Sequence, residues 1–289
     1  MQFSIGNILF YWPKDQVSAF YEQAKTSTAE HVYLGESVCS KRRELTLKDY
    51  LQIGQSLQQS GKKVVLTSLA LLEAKSELAS LKKVCDNGHF LVEANDFGAV
   101  ELLSQAGIPF VAGAALNIYN QYDLQVMVNK GMKRWVMPVE LSKDWLIQIL
   151  LGCEALGIRD KFEVELYGYG FLPLAYSARC FTARSEDKPK DQCQLCCIKY
   201  PQGHEINSQE GSRLFRMNGI QTLSGKIQNL INDLPSMHDL VDVVRISPNS
   251  PDSLAWVTMF QQNLDGSSPI ALKDFCNGYW HKIEGMATY

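Results

Sequence analysis

Several large classes of protein leave marks that this sequence lacks. Positive charge is not in excess: 28 Lys and Arg stand against 31 Asp and Glu, a net charge of −3. That balance argues against a dedicated nucleic-acid binder. No apolar run is long enough to span a bilayer. The opening residues, MQFSIGNILFYWP, carry neither a basic lead nor a small-residue cleavage site. No signal peptide is therefore expected, and the expected location is cytoplasmic. No Gly-rich phosphate turn follows the first apolar segment, which removes one support for an open dinucleotide-binding sheet. The five histidines (His31, His89, His204, His238 and His281) include no H-E-x-x-H pair, and no G-x-S-x-G elbow occurs.

What is present is a globular composition, with 46% apolar and 20% charged residues over 289 positions. This length suits one α/β barrel as a single domain over 1–289. Apolar segments read as strands at Met1–Phe10, His31–Gly35, Lys63–Ser68, Phe90–Ala94, Phe110–Ala114, Arg134–Val139, Phe162–Leu166 and Val241–Ile246. Helical spacing follows most of them, at 15–25, 46–60, 71–85, 97–106, 121–130, 142–156 and from about Pro251. Thr46 and Asp49 have the spacing of a capping box, with Asp in place of Glu. Eight strands alternating with helices predict a parallel (β/α)₈ TIM-type barrel with right-handed crossovers. The rhythm breaks between about 170 and 240. There, Asn218-Gly219 between alternating residues signals a hairpin.

The break carries four of the eight cysteines: Cys180, Cys193, Cys196 and Cys197. The spacer between Cys180 and Cys193 is polar and charged and cannot bury a core of its own. If 193–197 is helical, Cys197 follows Cys193 by one turn on the same face. In a reducing cytosol, clustered thiols read as metal-binding or catalytic before they read as disulfides. A barrel opens every post-strand loop on one face. Cys39 falls just past the second strand, and the cysteine stretch follows the seventh. The candidate ligand set is thus Cys39, Cys180, Cys193 and Cys197, with Cys196 competing. Four thiolates suit either structural zinc or an iron–sulfur cluster. Cys85, Cys153 and Cys276 read as small apolar residues. Lys41-Arg42-Arg43 reads as a solvated loop or, beside Cys39, as an anion site. His31 and the tryptophans Trp12, Trp135 and Trp145 read as structural.

The run Glu165 to Cys180, with Tyr176-Ser-Ala-Arg-Cys180 followed by Cys193 and Cys197, resembles the signature of the collagenase-like peptidase family. That signature is approximately E-x-x-x-H-G-x-x-C-x-x-Y-S-G-x-C. Val32-Tyr-Leu-Gly35, Asn95-Asp96-x-Gly98, Leu116-Asn117-x-x-Asn120 and Glu140-Leu-Ser142 agree with it too. Two departures stand out: Tyr169 replaces the His, and Pro173 replaces the first Cys. With Tyr11-Trp12-Pro13, the Cys39 position and Asn277-Gly-Tyr-Trp-His281, the chain resembles the branch serving oxygen-independent ubiquinone biosynthesis. That resemblance implies a [4Fe–4S] cluster on Cys39, Cys180, Cys193 and Cys197. It also implies a heterodimer with a UbiU-like homologous protein and ring hydroxylation of a ubiquinone precursor without oxygen. A peptidase-like hydrolase with structural zinc and an RNA-modifying hydroxylase of a related branch are the alternatives.

Overall fold

A computed structural model describes residues 1–289. In chain order its elements are β1 (Gln2–Ile5), α1 (Lys14–Ala24), β2 (His31–Leu34), α2 (Leu47–Gln59), β3 (Lys63–Thr67), α3 (Lys75–Cys85) and β4 (Leu91–Ala94). There follow α4 (Phe97–Gln105), β5 (Phe110–Ala112), α5 (Gln121–Asn129), β6 (Met132–Val136), α6 (Lys143–Ala155) and β7 (Glu163–Tyr176). The chain ends with α7 (Phe181–Ser185), β8 (His204–Asn207), β9 (Arg213–Asn218), β10 (Gln221–Asn229), β11 (Val243–Ile246), α8 (Leu254–Gln262) and β12 (Phe275–Cys276).

Strands β1 to β7 pair in sequence order, all parallel, and β11 joins β7 to β1. The eight-stranded (β/α)₈ barrel expected from the sequence is therefore closed. The period-2 geometry of a strand sorts its side chains to two sides. Val32, Leu34, Val64, Leu66 and Val92 face the helices and join the main apolar core. Tyr33, Val65, Val111, Val136 and Tyr167 face the lumen and form a smaller cluster there.

Several helices start on polar caps as the sequence indicates. Thr46 and Asp49 cap α2 reciprocally, and Ser142 accepts from Trp145 N at the head of α6. Asp96 and Asn120, two of the polar residues just past strands, likewise cap α4 and α5. Their position is explained by satisfying orphan helix amides, not by chemistry at the mouth.

Several boundaries differ from expectation, among them the first strand, which ends at Ile5 and not at Phe10. Helix α3 begins at Lys75, not Leu71, because Leu71 and Leu72 pack on the core as loop. Glu77 then accepts the amides of Glu73 and Ala74 at 2.5 and 3.0 Å. Strand β7 does not stop at Leu166. It leaves the barrel and continues to Tyr176, antiparallel to β10. The hairpin of β9 and β10 forms, but Asn218 pairs with Gln221. The two-residue turn is therefore Gly219-Ile220, with Gly219 at φ +67°, as a turn needing glycine first requires.

The excursion after β7 thus extends the barrel sheet with an antiparallel flap, in the order β7-β10-β9-β8. It is pinned back to the first loop of the barrel. Trp12 Nε1 donates to Pro201 O at 2.9 Å, and Asn218 Nδ2 donates to Leu9 O at 2.8 Å. Trp12 and Trp135 are buried, whereas Trp145 is exposed.

Candidate functional site

The lumen is a buried ion network. Arg245 meets Glu93 and Glu165 at 2.8 Å each. Arg134 meets Glu165 at 3.3 Å and Glu163 at 2.6 Å. Ser4 donates to Glu165 at 2.6 Å, and the Tyr33 hydroxyl donates to the same carboxylate. The Arg245 guanidinium also lies over the rings of Tyr33 and Tyr167, at 4.0 and 5.0 Å. Burial alone would raise the Glu165 carboxyl, but the flanking Arg245 and Arg134 cations outweigh it and bring it to about 2. His31, at the opposite end of its strand from the mouth, is held neutral. Burial and the Arg134 charge bring it down to about 3. His31 is therefore structural, as the sequence suggests. Of the network's acids and arginines only Glu165 stands out in the sequence, at the head of the family-like run; Glu93, Arg134 and Arg245 do not. The signal was a charged residue at an inward position of an otherwise apolar strand.

The thiols lie at the rim. Gly35 turns the chain out of β2 at φ +120°, where a Cβ would lie 2.9 Å from Thr67 O. Glu36 then accepts the amides of Val38 at 2.7 Å and Cys39 at 3.0 Å, fixing the turn that presents Cys39. Cys180 is the N-cap of α7, its sulfur accepting from Ala183 N at 3.4 Å. Gly219 at the hairpin tip braces this turn, its carbonyl accepting from Phe181 N at 2.8 Å and its amide donating to Thr182 Oγ1 at 3.0 Å. Cys193 follows a 3₁₀ turn over Lys190–Gln192. That turn is tethered by Lys41, whose Nζ reaches Lys190 O and Asp191, both at 2.9 Å.

Residues 193–197 do not form an α-helix. Gln194 and Leu195 are both left-handed, at φ +50° and +54°, and a new 3₁₀ turn starts at Cys196. Cys193 and Cys197 are thus related by a chain reversal, not by a helical turn. Cys196 is the buried member and faces Thr182 O at 3.9 Å, while Cys39, Cys180, Cys193 and Cys197 are half-buried.

Cys39, Cys180 and Cys197 lie within electrostatic reach of one another, and Cys196 within reach of Cys180 and Cys193. Cys39 is raised by burial, opposed by the Lys41 amide and Arg42, with the charge of Cys180 adding to the rise. Cys197 is pushed up to about 11, first by burial; Arg42 opposes this, and Cys39 and Cys180 add to it. Cys196 is raised by burial and, among its neighbours, by Cys180 and Cys193. Arg42 is the fixed cation beside them. It is buried and donates to Leu9 O and to Asn218 Oδ1, both at 2.7 Å, while its Nε has no partner. Of the basic triplet, Arg42 is therefore a buried clamp, Lys41 a tether, and Arg43 an exposed residue. As the side chains stand, no three His, Cys, Asp or Glu groups converge closely enough to hold a metal ion. The donor chemistry nonetheless fits a thiolate-bound centre: four half-buried thiols from two loops, with an arginine and a lysine beside them. Cys85, Cys153 and Cys276 lie buried elsewhere, as their apolar reading implies.

One serine–histidine pair exists, Ser185 Oγ to His204 Nε2 at 3.2 Å. Ser185 donates its own proton to Thr182 O at 2.9 Å. Thr182 O thus competes with the histidine for the serine proton, and no carboxylate hydrogen-bonds to His204 to orient it as a base. No helix is long and apolar enough to cross a membrane.

Residues 17–265 match the family model described as Peptidase family U32. Among solved structures, a chain of the tryptophan synthase complex from Pyrococcus furiosus is similar at 11% identity and a TM-score of 0.48. The match covers 92% of this chain and 98% of that one. Dihydropteroate synthase from Thermus thermophilus is similar at 10% identity and a TM-score of 0.41, covering 90% and 94%. Nothing about chemistry follows from likeness at that level.

Proposed function

The chain belongs to peptidase family U32, and from that premise we propose that it is an iron–sulfur protein of the family's UbiV-like branch. On this reading it is required for oxygen-independent ring hydroxylation in ubiquinone biosynthesis and acts as a heterodimer with a UbiU-like homologous protein. Cys39, Cys180, Cys193 and Cys197 would hold a [4Fe–4S] cluster, and the single domain would span 1–289. The observation that carries the reading is the meeting of two distant loops. Cys39, past β2, lies within electrostatic reach of Cys180 and Cys197, with the buried Arg42 beside them. Cys39 takes the place of the family cysteine that Pro173 replaces.

When bound, such a cluster supplies electron transfer, tuned by burial and hydrogen bonding at sulfur. The chain's own contribution is specific. Arg42 lowers the cost of thiolate charge at Cys197 and Cys39, against the burial that raises both. Lys41 holds the Lys190–Gln192 turn, and so the position of Cys193. The half-buried setting restricts water at sulfur without closing it off. A peptidase role finds no support in the Ser185–His204 pair, because Thr182 O competes for the serine proton and no carboxylate orients the histidine.

The test is a substitution series read by iron and acid-labile sulfide per chain after anaerobic reconstitution. Cys39→Ala is expected to lose essentially all cluster, and Cys85→Ala and Cys196→Ala to retain it. Full iron in Cys39→Ala with loss in Cys196→Ala would overturn the ligand set. Co-purification with a homologous partner chain tests the heterodimer separately.

A further inference from the structure

The segment that carries Cys193 is held by charge and not by packing. None of residues 187–195 is buried. Their hydrogen bonds to the barrel loops involve two lysines alone. Lys41, on the loop after β2, reaches Lys190 O and Asp191, both at 2.9 Å. Lys190 in turn pairs with Glu73, on the loop before α3. Every other hydrogen bond of the segment stays within the excursion, such as Lys190 Nζ to Ala178 O at 2.8 Å and Lys188 N to Ala183 O at 2.9 Å. With no apolar anchor, the seat of this segment depends on two ion pairs.

Strained backbone lies at both ends. Asp187 is left-handed at φ +52°, and Gln194 and Leu195 at +50° and +54°. Residues other than glycine persist in that region only where their surroundings hold them there. Release of the ion pairs therefore removes the restraint between two points that gain by relaxing.

Behind the segment lies a cavity of ≈ 340 Å³. Cys39 and Lys41 line it from one barrel loop, Glu73 from the next, and Lys190 and Asp191 from the segment itself. Each ion pair thus ties the segment to a different wall of the cavity. Asp191 is 93% exposed, and the other three side chains are between 24% and 35% exposed. Salt reaches both pairs, and pairs of this kind are weak enough to open.

We propose that residues 187–195 form an ionic latch over Cys39. With Lys41–Asp191 and Lys190–Glu73 paired, the segment walls the cavity and holds Cys193 at the rim. With the pairs released, it swings on Asp187 and on Gln194-Leu195 and opens Cys39 to solvent. The inference concerns access to the thiols and does not depend on what they bind.

The test uses the full chain with its thiols free and reduced. Hydrogen–deuterium exchange from milliseconds to minutes and N-ethylmaleimide labelling of Cys39 are both read by peptide mass spectrometry. Raising KCl from about 0.05 M to about 0.5 M should speed exchange in peptides covering 187–195 by about threefold or more, with peptides of α6 unchanged. Labelling of Cys39 should rise in step, while labelling of the buried Cys85 and Cys153 should not. The double variant Glu73→Gln with Asp191→Asn should already be open at low salt and show no further response. Exchange indifferent to salt in the unsubstituted chain, a salt response undiminished in the double variant, or Cys39 labelling that does not follow the exchange would overturn the proposal. A rise shared by α6 and Cys85 would mark general loosening and would overturn it as well.

Discussion

The barrel lumen and the thiol rim each set ionisable groups around a buried arginine, yet they handle charge differently. In the lumen, Arg245 is bracketed by Glu93 and Glu165 at 2.8 Å, and Glu165 stays ionised far below the ordinary carboxylate range. Charge there is matched by charge within the chain. At the rim, Arg42 has only Glu36 at 3.9 Å as a carboxylate neighbour, while burial raises Cys39 and Cys197. Burial keeps those thiols protonated near neutral pH, since Arg42 opposes the rise without cancelling it. A network whose cations each meet carboxylates of the chain is a fold element, although one Arg245 nitrogen, Nη2, keeps no partner. A set of thiols disfavoured as anions beside an incompletely matched cation is left open, and on the proposed reading a thiolate-held cluster, net negative as a whole, would supply the counter-charge that Arg42 lacks.

Substitutions can break this contrast. The largest effect is expected in the lumen. Arg245→Met leaves Glu93 without its cation and Glu165 with Arg134 alone, at a cost of about 3–5 kcal/mol, and the urea midpoint should fall accordingly. Cys197→Ala, by comparison, should change the stability of metal-free protein by under about 1 kcal/mol, while abolishing metal uptake. Equal destabilisation by the two substitutions would erase the distinction.

Acid should sharpen it. Unfolded His31 takes up a proton near 6.5 and folded His31 only near 3. Unfolded Glu165 does so near 4.5 and folded Glu165 near 2. In both windows the unfolded chain binds more protons, so stability falls as pH falls, by at most about 1.4 kcal/mol per pH unit per group. Urea midpoints measured at pH 7, 5 and 4 should decline steadily, and His31→Gln should flatten the upper part of that decline. The smallest effect is at a cap: Thr46→Ala removes one half of the α2 capping box and should cost about 1 kcal/mol, with no change in metal content.

The same two regions separate what could be read in the sequence from what could not. Barrel strands announce themselves because a strand walled by helices is apolar on its outer side whatever the lumen holds. Val32, Leu34, Val64 and Leu66 show this. Inward charges such as Arg134 are harder to recognise, since their partners come from other strands at long range. The excursion obeys no such period. Strand β7 runs past Leu166 because residues 169–176 find a partner in β10, more than forty positions later, and Gly168, Gly170 and Pro173 hide the strand pattern. The 193–197 segment was open to a helical reading because its left-handed residues are Gln194 and Leu195, neither of which marks a reversal. The position of Cys39 on the cysteine face was legible, because barrel topology alone places post-strand loops together. Arg42's burial was not, because it depends on Leu9 O and Asn218 from distant parts of the chain.

The most direct measurement is the absorption spectrum of the full chain purified without oxygen, together with iron and acid-labile sulfide per chain. A thiolate-held [4Fe–4S] centre predicts a brown protein with about four iron and four sulfide per chain, bleached by dithionite. A colourless protein with one zinc, or one that takes up neither iron nor sulfide on anaerobic reconstitution, would contradict it.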